Sequence, residues 1–226
     1  MVVTFLSHQS HYENLGAIHT NKQHIWEKVQ NVWTIESESV KKLKDTMDPE
    51  AIAAAIEIIV ACKNSKGRVV TTGAGTSGVA AKKITHTLSC VEIPSLFMSP
   101  ADAVHGAMGA LQQGDVFIAI SKGGNTEEIV KLIPAIKAKG AKLIGVTENE
   151  KSKLGQASDV VLKVAVEKEP DPFNMLATAS TMAVIATFDA MAVALMEITG
   201  YKREQFAIIH PGGAVGERLL NKEGDK

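Results

Sequence analysis

The stretch "TTGAGTSGVAAKK", residues 71–83, carries Gly73, Gly75 and Gly78 in G-x-G-x-x-G spacing. It follows a β-rich run, "RVVTT" (68–72), and leads into a helix-forming segment. That context predicts a tight turn from strand to helix, of the kind that holds dinucleotides. Such a turn points free backbone N–H groups and the positive end of a helix at an anion. Thr76 and Ser77 add two hydroxyls that a pyrophosphate site does not require. Two ligands therefore compete for the turn: a dinucleotide, or one smaller phosphate.

Outward from the turn, "SLFMS" (95–99), "DVFIAIS" (115–121), "KLIGVT" (142–147) and "VVLKVAV" (160–166) read as further strands. Helical stretches over 77–90, 101–111, 125–139 and 151–157 alternate with them. Alternation of helices with continuous apolar strands predicts a parallel sheet covered on both faces. Right-handed crossovers make this a three-layer α/β/α sandwich around a doubly wound, mainly five-stranded sheet. Upstream, Trp26, Val29, Trp33, Val40, Leu43 and Met47 recur at steps of three, four or seven, an amphipathic helix. "MDPEAIAAAIEIIVAC" starts a second helix, with Asp48 as N-cap and Pro49 at the first position. Residues 1–20 lack periodicity and read as a flexible extension, and 21–226 read as a single domain without repeats or linkers.

Composition narrows the function classes. The 226 residues are 45% hydrophobic and 22% charged, ordinary for a soluble globular chain. A net charge of −1 supplies no field for nucleic acid or anionic membrane, and 4% aromatic residues offer little for base stacking. Cys62 and Cys90 belong to no Cys/His cluster, so no metal is expected, and the two read as buried thiols of a reducing cytoplasm. The N-terminus has no basic region followed by an apolar one, so no signal peptide is expected. "MLATASTMAVIATFDAMAVALM" (175–196) is long enough to span a bilayer, but Asp189 and several hydroxyls favour a buried helix of a soluble domain.

Ligands of such sheets bind at the carboxyl ends of the strands. Beside the glycine loop, "AISKGGNTEE" (119–128) is a second strand end followed by glycines, hydroxyls and a helix. Ser77, Ser121 and Thr126 are hydroxyl donors, and Lys122 is a basic group beside them. Two such loops on adjacent strands predict one phosphate held between them. A dinucleotide site also wants an acid at the tip of the second strand for the ribose. Here Asp102 lies beyond Pro100 and Glu92 precedes the strand, so the phosphosugar reading is preferred.

"GAGTSG", "SPADAVHGAMG", "ISKGGNTEEI", "KEPDPFNMLATAST" and "HPGGAVG", in that order, resemble the sugar isomerase (SIS) domain family, and within it the arabinose-5-phosphate isomerase group. The resemblance covers roughly residues 40–220. It implies phosphosugar aldose–ketose isomerisation with a C5 or C6 sugar phosphate as ligand, no cofactor, a homodimer or homotetramer, and a site near the subunit boundary. Members of the group usually carry C-terminal CBS modules, which this chain would lack. Carried over residue by residue, it implies a catalytic carboxylate at Glu169 and a catalytic histidine at His210. It implies phosphate contacts at Ser77, Ser121 and Thr126, and a sugar site lined by Thr178, Ser180 and Thr181. His105 matches a histidine of the family's "HG" stretch.

The chain departs from that group at three positions. Thr76 stands where the group has lysine, Gly123 replaces the second serine of the second loop, and Asn125 replaces a glutamate. The pair Thr76–Ser77 after Gly75 instead resembles the isomerase domain of glucosamine-6-phosphate synthase. The sugar therefore stays open, and a phosphosugar-binding sensor without catalysis is the alternative.

The implied pair suits the chemistry. Moving a proton between C1 and C2 through an enediol(ate) needs one base near both carbons. A partly desolvated carboxylate with a raised pKa is expected in that role. Histidine exchanges protons near neutral pH. Plainer roles exist for several of these residues. Ser77 and Thr126 sit where N-caps belong, His105 could be a surface histidine, and Thr178, Ser180 and Thr181 could satisfy a buried helix. The Trp26/Trp33 stripe is expected to serve packing rather than a ligand, with a second subunit as one candidate partner.

Overall fold

A computed structural model describes residues 21–211. The expected extension over 1–20 and the end of the "HPGGAVG" string lie outside the described residues. Two helices lead: α1 (Lys22–Thr46) and α2 (Pro49–Asn64). Then strand and helix alternate: β1 (Val69–Gly73), α3 (Thr76–Cys90), β2 (Ser95–Phe97), α4 (Pro100–Ala103), β3 (Val116–Ile120), α5 (Glu127–Val130), α6 (Ile133–Ala138), β4 (Lys142–Thr147), α7 (Lys153–Ala157) and β5 (Val160–Lys163). Two helices close the described chain, α8 (Ala179–Ile198) and α9 (Arg203–Ile209).

The five strands are parallel, in the order β2-β1-β3-β4-β5. The expected doubly wound sheet is thus present, with its topological switch point between β1 and β3. Alternate side chains feed two cores. Val69, Ile118, Ile120, Ile144 and Val146 point to one face, where they meet Ile59 of α2, Ile84 and Leu88 of α3 and Phe188 of α8. Val70, Phe117, Ala119 and Leu143 point to the other, where Leu111, Ile129, Leu132 and Ile136 cover them. Burial on both faces explains why these strands read as unbroken apolar runs.

Local signals explain most boundaries. Asp48 accepts a hydrogen bond from Glu50 N–H and Pro49 opens α2, as expected. The stretch 125–139 is two short helices rather than one, because Pro134 lacks the N–H that a continuous helix needs. The stretch 101–111 is likewise broken: α4 ends at Ala103, Gly106 turns at φ 107°, and a 3-10 turn covers Ala107–Ala110. The fifth strand stops at Lys163, three residues short of expectation.

Helix α8 is the one described helix long and apolar enough to cross a membrane. It buries one side in the first core, through Ala183, Phe188, Met191 and Leu195, while Val193 and Ile198 stay exposed. Asp189 is ion-paired with Lys83 of α3, which accounts for the charge in mid-helix. Of the two thiols expected to be buried, only Cys62 is, with burial pushing it up to about 11; Cys90 is half-buried. Trp26 and Trp33 stay about half exposed and meet edge to face at 5.6 Å between ring centroids.

Candidate functional site

Loops from the carboxyl ends of β1 and β3 meet at the switch point. After β1, Gly73 and Gly78 pack so closely that a Cβ on Gly78 would lie 2.6 Å from the Gly73 carbonyl oxygen. Gly75 holds φ 55° and is the N-cap of α3. Thr76 and Ser77 therefore sit inside the first helical turn, and the expected N-cap at Ser77 is corrected. A residue with a Cβ is strained at that φ, so glycine takes the cap. Thr76 is exposed, whereas Ser77 is half-buried and lines a cleft.

After β3, the loop is braced by its own hydroxyls. Ser121 is buried, its N–H donates to Val146 O, and its Oγ accepts from Gly124 N–H at 3.1 Å. Thr126 occupies the N-cap position of α5, but its hydroxyl bonds to Ser121 Oγ at 2.8 Å and caps no N–H. Asn125 Oδ1 accepts from Lys153 N–H at 3.0 Å, which ties the loop to α7 rather than to the cleft. The root of Lys122 is fixed too, since its carbonyl accepts from Thr147 Oγ1 and Glu148 N–H.

Glu169 is 2% exposed, so it is not the solvated acid that its charged, Pro-rich surroundings suggest. Its backbone N–H donates to Asn174 Oδ1 at 2.6 Å. Lys122 Nζ lies 2.8 Å from Oε1, and Ser180 Oγ donates to the same oxygen. Thr178 N–H donates to Oε2 at 3.0 Å and Ser180 N–H at 3.4 Å. The carboxylate thus sits on the N-terminus of α8, where the helix end favours negative charge. Burial pushes its pKa up, but the bonds from Lys122, Ser180 and Thr178 outweigh burial and hold it below the ordinary carboxylate range. The expected raised pKa is therefore corrected: the environment supplies more donors than desolvation can offset.

The cleft these elements enclose is lined by Ser77, Lys122, Thr147, Ser180 and Thr181 over a floor that includes Ile120 and Val146. Thr181 Oγ1 donates to Ala177 O. Thr178 Oγ1 is buried and has no hydrogen-bond partner among the described residues. Two residues of the site, Thr147 and Asn174, lie outside the sequence reading. Asn174 adopts φ 57° in a turn whose "DPFN" composition is a usable signal. Thr147 ends a strand like any other, and its role is visible only once β4 lies beside β3.

Like Thr76 and Asn125, two further expected residues are not brought to the cleft. His105 is exposed, in the turn after α4. His210 caps the end of α9, stacked on Phe206 at 4.0 Å between centroids, with Nδ1 2.9 Å from Phe206 O. Helix α9 docks near the C-terminal end of α3, through Tyr201 Oη to Cys90 O and Gln205 Nε2 to Glu92 Oε2. That is the amino-end side of the sheet, and α8 spans about 30 Å from the cleft toward it.

No group of three or more metal-ligating side chains is found among the described residues. A second crevice beside the glycine loop is lined by Val79, Lys82, Phe97, Ser99 and Glu128. Asp102 falls in the first turn of α4 rather than at the tip of β2.

The SIS-domain family model matches residues 63–196. Over 213 residues the chain is 40% identical to arabinose 5-phosphate isomerase KdsD of Pseudomonas aeruginosa, covering 94% of this chain and 62% of that protein. It is 37% identical over 188 residues to arabinose 5-phosphate isomerase GutQ of Escherichia coli, covering 83% of this chain and 57% of the relative. The chain therefore spans somewhat under two thirds of these curated relatives. Among solved structures, a candidate sugar-phosphate isomerase of Listeria monocytogenes is 51% identical with a TM-score of 0.82, covering 85% of this chain and 99% of that one. An Escherichia coli protein in complex with arabinose 5-phosphate is 31% identical with a TM-score of 0.79, covering 84% of this chain and all of that one.

Proposed function

The chain belongs to the SIS-domain family, and from that premise we propose that it is a sugar-phosphate aldose–ketose isomerase, with arabinose 5-phosphate as the first substrate to test. The observation that carries this reading is Glu169: a buried carboxylate at a helix N-terminus, beside two glycine- and hydroxyl-bearing loops at strand ends.

The phosphate would lie between the loops, on backbone N–H groups and the hydroxyls of Ser77 and Thr126, with Lys122 as counter-charge. The open-chain sugar would then run toward Ser180 and Thr181, with C1 and C2 at Glu169. There the ionised carboxylate takes the C2 proton. The C2–H electron pair forms the C1–C2 double bond of the enediol(ate), and the carbonyl oxygen at C1 gains a proton. Return of the carried proton to C1, with loss of the O2 proton, gives the ketose. A carboxylate held ionised at neutral pH is ready for the first transfer.

His210 would serve the oxygens, or ring opening, only if a second copy of the chain supplies it. In one chain it lies beyond the opposite end of α8 from Glu169. An assembly of at least two copies is thus part of the proposal, and the half-exposed Trp26 and Trp33 of α1 offer an apolar surface for it. Two thiols without a disulfide fit a cytoplasmic protein.

The test is interconversion of arabinose 5-phosphate and ribulose 5-phosphate, followed alongside C6 sugar phosphates. Turnover that Glu169→Gln abolishes supports the proposal. Thermal stabilisation by a sugar phosphate without any turnover would favour the sensor alternative.

A further inference from the structure

Lys122 links two parts of the site, the 121–126 loop and the Glu169 carboxylate. Its backbone belongs to the 121–126 loop and is pinned by Thr147 and Glu148. Its side chain crosses the cleft to Glu169, 47 residues on. The pair is asymmetric: the Glu169 carboxylate is fully enclosed, whereas the Lys122 side chain is 39% exposed. The carboxylate is therefore fixed and the ammonium can swing. Its four-carbon stem pivots on an anchored root, and a lysine ammonium is a compact charge without directional demands.

The charged group facing Glu169 is Lys122; α8 presents Ser180 and Thr178, and the 170–178 loop presents Asn174, none of which titrates. One ammonium thus faces two anions, Glu169 and any phosphate held by the loop from which it springs. A phosphate dianion, exposed to the same ammonium and carrying more charge, competes with the carboxylate for it.

We propose that Lys122 is a positioning residue that couples phosphate binding to release of Glu169: its ammonium pairs with the carboxylate and passes, still protonated, to the phosphate of an incoming ligand. No bond to hydrogen breaks in this exchange. Glu169 keeps Ser180 and the backbone N–H groups but loses its counter-charge, and becomes a stronger base when a phosphorylated sugar is in place. Neutral sugars would leave the ion pair intact. This inference rests on the phosphosugar reading above and adds a selection step to it.

The experiment uses the full chain with glutamate 13C-labelled at the side-chain carboxyl, the Glu169 signal being assigned by its loss in Glu169→Gln. Its titration midpoint is recorded with and without saturating inorganic phosphate. Phosphate is expected to move the midpoint upward in the wild type and in Lys122→Arg, and to leave it in place in Lys122→Met. Phosphate affinity should fall about tenfold in Lys122→Met and recover in Lys122→Arg. Phosphate that binds the wild type without moving the midpoint overturns the coupling and leaves the isomerase reading standing. A movement equal in Lys122→Met does the same. Absence of phosphate binding overturns the coupling, and if arabinose 5-phosphate is also not turned over, the phosphosugar reading falls with it. Should Lys122→Met fail to fold, the wild type and Lys122→Arg decide the matter.

Discussion

Gly73 and Gly78 face each other across the turn from β1 to α3, with no room for a side chain on either. A Cβ at Gly78 would meet the Gly73 carbonyl at 2.6 Å, and one at Gly73 would meet the Ser77 backbone at 2.6 Å. Both obstacles are backbone atoms, which cannot rotate away. The contact sets α3 against the sheet and fixes where Ser77 enters the cleft.

Gly78→Ala is therefore expected to destabilise the fold by about 1–3 kcal/mol, the range for forced overpacking. It should also weaken phosphate affinity by displacing Ser77. Urea unfolding and phosphate titration of the variant check both effects; unchanged values for both would show that the turn relaxes freely.

Glu169→Gln should lower kcat by about 10²–10⁴-fold, the usual contribution of a positioned general base, while KM moves little. Steady-state kinetics with arabinose 5-phosphate, or with whichever sugar phosphate is turned over, decide this. Thermal unfolding of the same variant guards against loss through misfolding.

The depressed pKa of Glu169 also predicts how stability depends on pH. Burial raises it, but the bonds from Lys122, Ser180 and Thr178 prevail, so the folded value lies below the unfolded one. The contribution is then fully present above the unfolded value, about 4.3, and is lost as pH falls through the lower folded value. Urea midpoints between pH 7 and pH 3 should fall more steeply for the wild type than for Glu169→Gln. Parallel curves would contradict the depressed pKa.

Subunit sharing has its own signature. Glu169→Gln and His210→Ala should each be inactive, and refolded together they should recover about a quarter of wild-type activity for a randomly assembled dimer. Recovery of nothing would mean that Glu169 and His210 act within one chain, and an active His210→Ala would place His210 outside the chemistry.

Asn125→Ala tests the brace between the 121–126 loop and α7, where Asn125 Oδ1 accepts from Lys153 N–H. We expect a loss of about 0.5–1.5 kcal/mol in stability and a modest rise in KM, with kcat preserved. A large fall in kcat instead would mean that Asn125 meets the sugar.

The sequence alone determined much of the fold. Five apolar runs of β-forming residues alternating with helical stretches specify a parallel sheet, because such strands are stable only when covered on both faces. The two glycine- and hydroxyl-bearing loops were legible for the same local reason: glycine spacing and hydroxyl position act within a few residues of each other. What lay beyond the sequence was every relation between distant segments. Glu169 stands in the charged, Pro-rich run "VEKEPDP", and only the folded chain buries it, sets Thr178 and Ser180 at the α8 N-terminus and Lys122 of the β3 loop onto it, and lowers a pKa that burial alone would raise. The resemblance pairs His210 with Glu169 in the chemistry, yet within one chain the length of α8 separates them, with His210 toward the amino-end side of the sheet. Charge balance and distance depend on what the folded chain brings together, and no spacing along the chain encodes them.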